Sequence, residues 1–322
     1  MSSGQEGWDL EALGGAVASL DLEGLDPREK YSAVVGRRFQ RSMRELAERE
    51  SEGYAFVKCR SCFLVKRDHC ICEELSGLAG RMREVRASPE IRFIIIMNDR
   101  EYFRSSNTGK LVRRLVAGSE ILIHGLPESP GRLEEILSQD SEDFHETVIL
   151  FPSRASRSVA DYFSEVVQDR YPAFFAKEPE GSQASQDFFG RLRLKVILID
   201  GTWSQAKSIN KALPDRIPRI IISSKLISDF GPLRKQNKAG NISTVEAASL
   251  FIRDVSDVLA RDPAATALAD SISRLRSQSD ILEESLRLLI RHVIAQCKRE
   301  YLKQVLESRN EKRFSAHKSR DA

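Results

Sequence analysis

The chain has 322 residues, 41% of them apolar and 30% charged, with a formal net charge of +3. That length suits one large domain or two ordinary ones, and no apolar run approaches the ~20 residues a bilayer-spanning helix needs. So small a net charge excludes a global field as the basis of nucleic-acid binding and leaves any such role to local patches. The first residues, Met1-Ser-Ser-Gly-Gln-Glu-Gly-Trp8, lack the basic and apolar regions of a secretory signal. The expectation is a soluble intracellular protein, cytoplasmic or nuclear, with no membrane partner.

Residues 1–25 carry few patterned apolar positions and read as disordered or loosely docked. Asp26-Pro27 then starts a helix, with Asp as N-cap, Pro at the first helical position and Glu29 at N3, running to about residue 50. Arg28, Lys30, Arg37, Arg38, Arg41 and Arg44 lie along it, either as a solvated face or as a surface turned toward RNA. Four of the five cysteines follow within fourteen residues, as Cys59-x2-Cys62-x7-Cys70-x-Cys72. Thiolates clustered in an intracellular chain suit tetrahedral zinc, which knits a loop with no core of its own. Free thiols or a redox pair are the alternative. Cys297 stands alone on a later helix and reads as core.

Beyond a basic linker holding Arg81, Arg83 and Arg86, residues 92–97 read as a first buried strand. A loop over 98–109 leads to a helix over about 110–117. Gly109-Lys110 is not a phosphate loop, because Arg104 and Leu111 occupy the places of its first glycine and its Ser or Thr. Further strands are predicted over 120–124, 148–151, 196–199 and 219–222, and a helix over about 159–167. The segments 125–145 and 173–190 read as surface connections, and a loop contains Pro232-Leu-Arg-Lys-Gln236. Ser243 with Glu246 forms a capping box that opens another helix. The last helix, over about 280–307, carries an apolar stripe of Leu282, Leu286, Leu289, Val293, Cys297 and Val305. A basic tail follows with Arg309, Lys312, Arg313, Lys318 and Arg320.

Strands alternating with helices predict an α/β fold with a parallel sheet covered on both faces. The run over 196–199 is apolar throughout, as in a strand buried on both sides, and stops at Asp200-Gly201-Thr202-Trp203 before a helix from Ser204. Ligands of open α/β sheets bind at such strand ends. Asp200 either caps the helix or takes part in chemistry, and Trp203 either packs in the core or serves a ligand. The expected organisation is a tail and basic helix over 1–54, a four-cysteine zinc-binding segment over 55–90, a catalytic domain over 91–308 and a basic tail over 309–322.

Cys59/Cys62/Cys70/Cys72, Asn107-Thr108-Gly109, Phe151-Pro152-Ser153, Asp200-Gly201-Thr202-Trp203 and Ser243-Thr244-Val245-Glu246-Ala247, in this order, resemble the DTW-domain family. The resemblance spans about residues 55–300. It implies a fold related to the SPOUT RNA methyltransferases, whose chain is knotted. It also implies transfer of the 3-amino-3-carboxypropyl group of S-adenosylmethionine to N3 of a tRNA uridine, with tRNA and S-adenosylmethionine as partners and zinc on the four cysteines. On this reading Asp200 takes the N3 proton or grips the donor's ammonium group. Thr202 shapes the turn, and Trp203 stacks on uracil or lines the adenine pocket. Phe151, Pro152, Ser153, Gly201, Ser243, Thr244 and Glu246 build the donor pocket, Glu246 having its capping box as a competing role. The chain departs from the family pattern at Asn98-Asp99, where His-Pro is frequent, and at Leu64-Val65, where Arg-Pro is usual. A SPOUT-like RNA methyltransferase and a zinc-stabilised RNA-binding protein without catalysis are the alternatives.

Overall fold

The computed structural model describes residues 24–54, 57–138, 144–165, 171, 182–222, 228, 230, 242–262 and 265–318, with backbone alone for 144, 182–185 and 299–318. Six strands form one sheet: β1 (Glu90–Asn98), β2 (Glu120–His124), β3 (Phe144–Leu150), β4 (Arg157–Ser158), β5 (Leu192–Asp200) and β6 (Arg219–Ile221). Their order is β2-β1-β5-β3-β6-β4, and every pairing is parallel. The predicted α/β class and each predicted strand are therefore present. β5 lies inside the sheet, paired with β1 on one side and β3 on the other.

Both faces of the sheet are covered, which is why β1 and β5 read as nearly unbroken apolar runs. With a period of two, Phe93, Ile95, Met97, Val196 and Leu198 face one layer and Ile94, Ile96 and Ile197 the other. Each such side chain, almost fully buried, contributes about 1.5–3 kcal/mol by leaving water. The first layer holds α1 (Pro27–Ser51) and, after the short α2 (Lys66–His69) with no buried residue, α3 (Cys72–Glu84), then α4 (Asp99–Tyr102), α5 (Gly109–Leu115) and, beyond α6 (Glu128–Ser138), α7 (Val159–Glu165) and α8 (Ser182–Arg191). The opposite layer receives Ile136 of α6 and Ala206 and Ile209 of α9 (Trp203–Ala212). Two more helices, α10 (Thr244–Arg261) and α11 (Ala269–Lys318), complete the first layer. Val245, Ala248, Ile252, Val255 and Leu259 of α10 recur at helical spacing, and Phe251 meets Phe93 of β1 at 6.3 Å between ring centres.

Local signals explain the helix starts. Asp26 accepts the N–H groups of Arg28 and Glu29 at 2.7 and 2.9 Å as the expected N-cap of α1, and Glu29 completes a capping box by accepting the Asp26 N–H at 2.9 Å. Ser243 and Glu246 form another at α10.

Several expectations are corrected. The basic linker is helical as far as Glu84, so Arg81 and Arg83 sit in the last turn of α3, where cations oppose the helix dipole favourably. The loop after β1 contains α4, because Asn98 accepts the Arg100 N–H at 3.2 Å and starts a turn. The connections over 125–145 and 173–190 contain α6 and most of α8. The final helix begins at Ala269 and continues to Lys318, through most of the expected basic tail. Cys297 is exposed and not core. The stripe through Leu282, Leu286, Leu289 and Val293 continues at Gln296, which is buried because its side-chain carbonyl accepts the Val65 N–H at 3.1 Å. The expected disorder before residue 24 and the loop at 232–236 lie outside the described residues.

Candidate functional site

β1 and β5 are neighbours, yet the helices that follow them leave on opposite faces. Leu111, Val112 and Leu115 of α5 pack in the first layer, and Ala206 and Ile209 of α9 in the second. Divergence of this kind opens a crevice at the carboxyl ends of two adjacent parallel strands. Met97 of β1 stands opposite Asp200 of β5 in register, so Asn98 and Asp200 flank that crevice.

Asp200 does not cap α9. Thr202 does: its hydroxyl accepts the Gln205 N–H at 3.4 Å, and Gln205 Oε1 accepts the Thr202 N–H at 2.7 Å. The cap lies two residues beyond Asp200, and the carboxylate is taken up by Asn107, whose amide donates to Oδ2 at 2.9 Å. Gln205 also donates to Asn98 Oδ1 at 3.1 Å, so the ends of β1 and β5 are joined twice, by Asn98–Gln205 and Asn107–Asp200. Gly109 is needed here for close approach. A Cβ at that position would lie 2.8 Å from Asp200 Oδ2 and 2.8 Å from Met97 Cε. Thr108 accepts the Val245 N–H at 3.4 Å, bringing the start of α10 to the same loop.

Trp203 is not core. It is 47% exposed and stacks on the buried Phe151 at the end of β3, with ring centres 5.4 Å apart and planes 9° apart. Lys207 Nζ stands 5.4 Å from the Trp203 ring centre. Ser153 and Pro152 are exposed next to this ledge, and Ser156 fastens their loop, donating to the Phe151 carbonyl and accepting the Ser153 N–H, both at 2.8 Å. Gly201 lies between Asp200 and the cap, with Thr244 in the first turn of α10. Glu246 Oε2 accepts from the Ser243 N–H at 2.7 Å, the Ser243 hydroxyl at 2.6 Å and the Ser228 hydroxyl at 2.7 Å, which is its capping role. Asp200 with Asn107, and Trp203 with Phe151, are thus brought together directly. Ser243 and Glu246 join through Thr108, and Pro152 and Ser153 form the outer lip.

Sequence reasoning missed Asn98 and Gln205 as members of the site, and passed over the role of Asn107. Gln205 was readable, since Thr202-x-x-Gln205 is a capping-box signature. The contacts of Asn107 and Asn98 depend on strand register and leave no mark in local spacing.

The Cys loop forms a second centre. The Sγ atoms of Cys59, Cys62, Cys70 and Cys72 all lie within 4.8 Å of one another, with Cys59–Cys72 at 3.6 Å and Cys62–Cys70 at 3.8 Å. A tetrahedral zinc with Zn–S bonds of about 2.3 Å sets its sulfurs roughly 3.8 Å apart, so the donor set fits a zinc tetrathiolate. The tight turn places Phe63 at φ +58°, and the Cys59 N–H donates to the Leu64 carbonyl at 2.8 Å. Val65 stands where proline is usual and uses the N–H that proline lacks in its bond to Gln296. Lys110 joins this loop to the crevice: its Nζ donates to the Cys62 and Arg104 carbonyls, both at 2.8 Å, and stands 4.7 Å from the Phe63 ring centre. Burial pulls its ammonium down to about 7, and a tetrathiolate centre bearing two negative charges acts in the opposite direction.

An all-parallel sheet with a carboxylate, three side-chain amides and an exposed indole at its switch point defines an α/β protein whose polar groups gather at the carboxyl ends of two adjacent strands. The family model described as the DTW domain matches residues 56–294, and the chain belongs to that family. The family includes tRNA-uridine aminocarboxypropyltransferases, and membership fits a tRNA-modifying role. No solved structure matches the chain. No described helix is long and apolar enough to cross a membrane.

Proposed function

We propose that the protein transfers the 3-amino-3-carboxypropyl group of S-adenosylmethionine to N3 of a tRNA uridine, forming acp3U. The observation that carries this reading is Asp200, aimed by Asn107 at the carboxyl end of a central strand, next to an exposed indole. The donor supplies a methylene next to a sulfonium, and its displacement releases methylthioadenosine, a neutral thioether that needs no protonation. Uridine N3 bears a proton and attacks only once that proton has gone. Asp200 takes it, and the Asn107 amide orients the carboxylate through Oδ2. Trp203 offers a flat apolar face, made rigid by Phe151 behind it, on which a uracil drawn out of its stack can rest. Gly201, Ser153 and the start of α10 border the crevice and would shape the donor pocket, their loops held by Ser156, Glu246 and Thr108.

Asp200→Asn separates the two roles open to the carboxylate. It keeps an acceptor for Asn107 and removes the base. Transfer to tRNA is expected to fall by about 10²–10⁴-fold, the usual worth of a positioned base. Donor affinity by calorimetry stays nearly constant, and higher pH partly restores the rate. Donor affinity that collapses along with the rate, with no rescue by pH, makes Asp200 a ligand of the donor's ammonium group. S-adenosylhomocysteine in place of methylthioadenosine as the product sinks the aminocarboxypropyl reading.

A further inference from the structure

We propose that α1 is a docking surface for the phosphate backbone of the tRNA that enters the strand-end crevice. The inference rests on the tRNA-modifying reading and adds an element outside the matched family domain, since α1 ends at Ser51 and the match begins at residue 56.

α1 is held against the mouth of the sheet. Ala33, Val35, Gly36 and Phe39 are buried, and Phe39 meets the rings of Tyr102 and Phe103 at 5.2 and 5.0 Å. Arg38 pairs with the buried Asp99, directly after β1. Tyr31 packs against His124, the last residue of β2, at 5.9 Å between ring centres. Gly125 leaves room for that ring: it has φ +95°, and a Cβ there would come within 2.6 Å of Tyr31 Cε1. His124 stands opposite Asn98, and Met97 opposite Asp200. His124, against which Tyr31 of the helix packs, therefore lies about two strand spacings, roughly 10 Å, from Asp200.

The face that α1 turns outward is basic over residues 30–44, with Glu45 and Glu48 following beside Arg41 and Arg44. Residues 30–44 include Lys30, Arg37, Arg38, Arg41 and Arg44 and no acidic side chain, in a chain whose net charge is only +3. Lys30 and Arg44 are exposed, and the Arg41 side chain is 81% exposed. Arg41 has one acidic neighbour, Glu45 at 2.9 Å, in a solvent-exposed pair. Such pairs contribute little, so its guanidinium exchanges partners easily. Tyr31 is 43% exposed at the end of the row nearer the crevice and offers a ring to an unstacked base. Arg37, Arg41 and Arg44 at four- and three-residue spacing, an aromatic further along the same helix, and a reactive carboxylate within reach suit a polyanionic strand whose bases are to be presented. Being sequence-independent, these contacts add affinity and orientation, while choice of the uridine is left to the crevice.

The test is binding of bulk tRNA to the full chain, without donor, across a salt series. Arg41→Ala with Arg44→Ala removes two exposed cations that hold no structural contact to the sheet. The slope of log affinity against log salt is expected to shrink by about 1.4–1.8, or 0.7–0.9 for each phosphate contact. The melting temperature should stay constant, and Arg41→Lys with Arg44→Lys should retain most of the slope. A wild-type slope and affinity in the alanine variant overturn the docking role of α1 and leave the reading of the crevice intact. A reduced slope in a protein that makes S-adenosylhomocysteine supports α1 and overturns the proposed transfer. Salt-independent tRNA binding by the wild type overturns the proposal for α1.

Discussion

The Cys loop and the strand-end crevice both hold polar groups in a fixed array, by opposite means. In the loop all four donors come from residues 59–72, and none stands on a strand of the sheet. A bound zinc would cross-link them, beside the buried Phe63, Leu64, Val65 and Ile71 that already anchor the segment in the core. In the crevice the groups come from Asn98, Asn107, Phe151, Asp200 and Gln205, spread over more than a hundred positions, and the sheet supplies the cross-link. The ligand set of the loop is therefore fixed by short spacing and local burial, and the crevice by strand register. Lys110 connects the two, tying the Cys62 carbonyl to the segment that carries Asn107.

The sharpest break in that comparison is Cys62→Ser. Structural zinc binds with an apparent ~10–16 kcal/mol in small peptides, where binding and folding are one event. Bound zinc, measured by elemental analysis, should vanish, with a marked fall in soluble yield. Purified wild-type protein without zinc, or a variant that keeps its metal, removes the assignment. Should the sheet remain folded in the variant, circular dichroism will show helix and strand content little changed, and the two regions are then energetically separate.

Gly109→Ala tests the crevice at the next magnitude and leaves the loop ligands untouched. The new methyl group would stand 2.8 Å from Asp200 Oδ2, so the carboxylate or α5 must move. Misplacing a reacting group by about 1 Å costs on the order of 10²-fold in rate, and overpacking costs about 1–3 kcal/mol of stability. The expected outcome is a transfer rate down by about 10²-fold with zinc content unchanged. A rate within twofold of wild type would show that the position of Asp200 does not limit the reaction.

Trp203→Ala should have the smallest effect of the three. An indole that is 47% exposed contributes little to the core, whereas stacking on a base is worth about 1–3 kcal/mol. KM for tRNA should rise about 5- to 150-fold with kcat and melting temperature nearly constant. A large loss of melting temperature without a change in KM would make the Phe151–Trp203 stack a packing element.

Much was legible from sequence wherever the cause is local. The four cysteines announce their ligand set because metal spacing is short. The N-cap at Asp26 and the capping box at Ser243 are read from residues at most three apart. The Asp200 turn is marked by the end of an apolar run. Assigning the start of α9 to Ser204 missed the Thr202 cap, although its partner Gln205 lies only three residues on. The placement of Cys297 failed for a different reason. A helical stripe gives an angle, and the polar Gln296 took the buried angle because a distant N–H, that of Val65, needed an acceptor.

The sequence by itself determined the periods, the caps and the chemistry of the ligands, since each follows from neighbouring residues along the chain. Tertiary structure alone decided that β5 enters between β1 and β3, that Asn107 reaches Asp200 across 93 positions, and that α1 lies beside their crevice. Parallel pairing joins segments distant in the chain, and hydrogen bonds between them leave no periodic trace. The physical reason is the sheet: its register converts sequence separation into neighbourhood, and only the folded chain has a register.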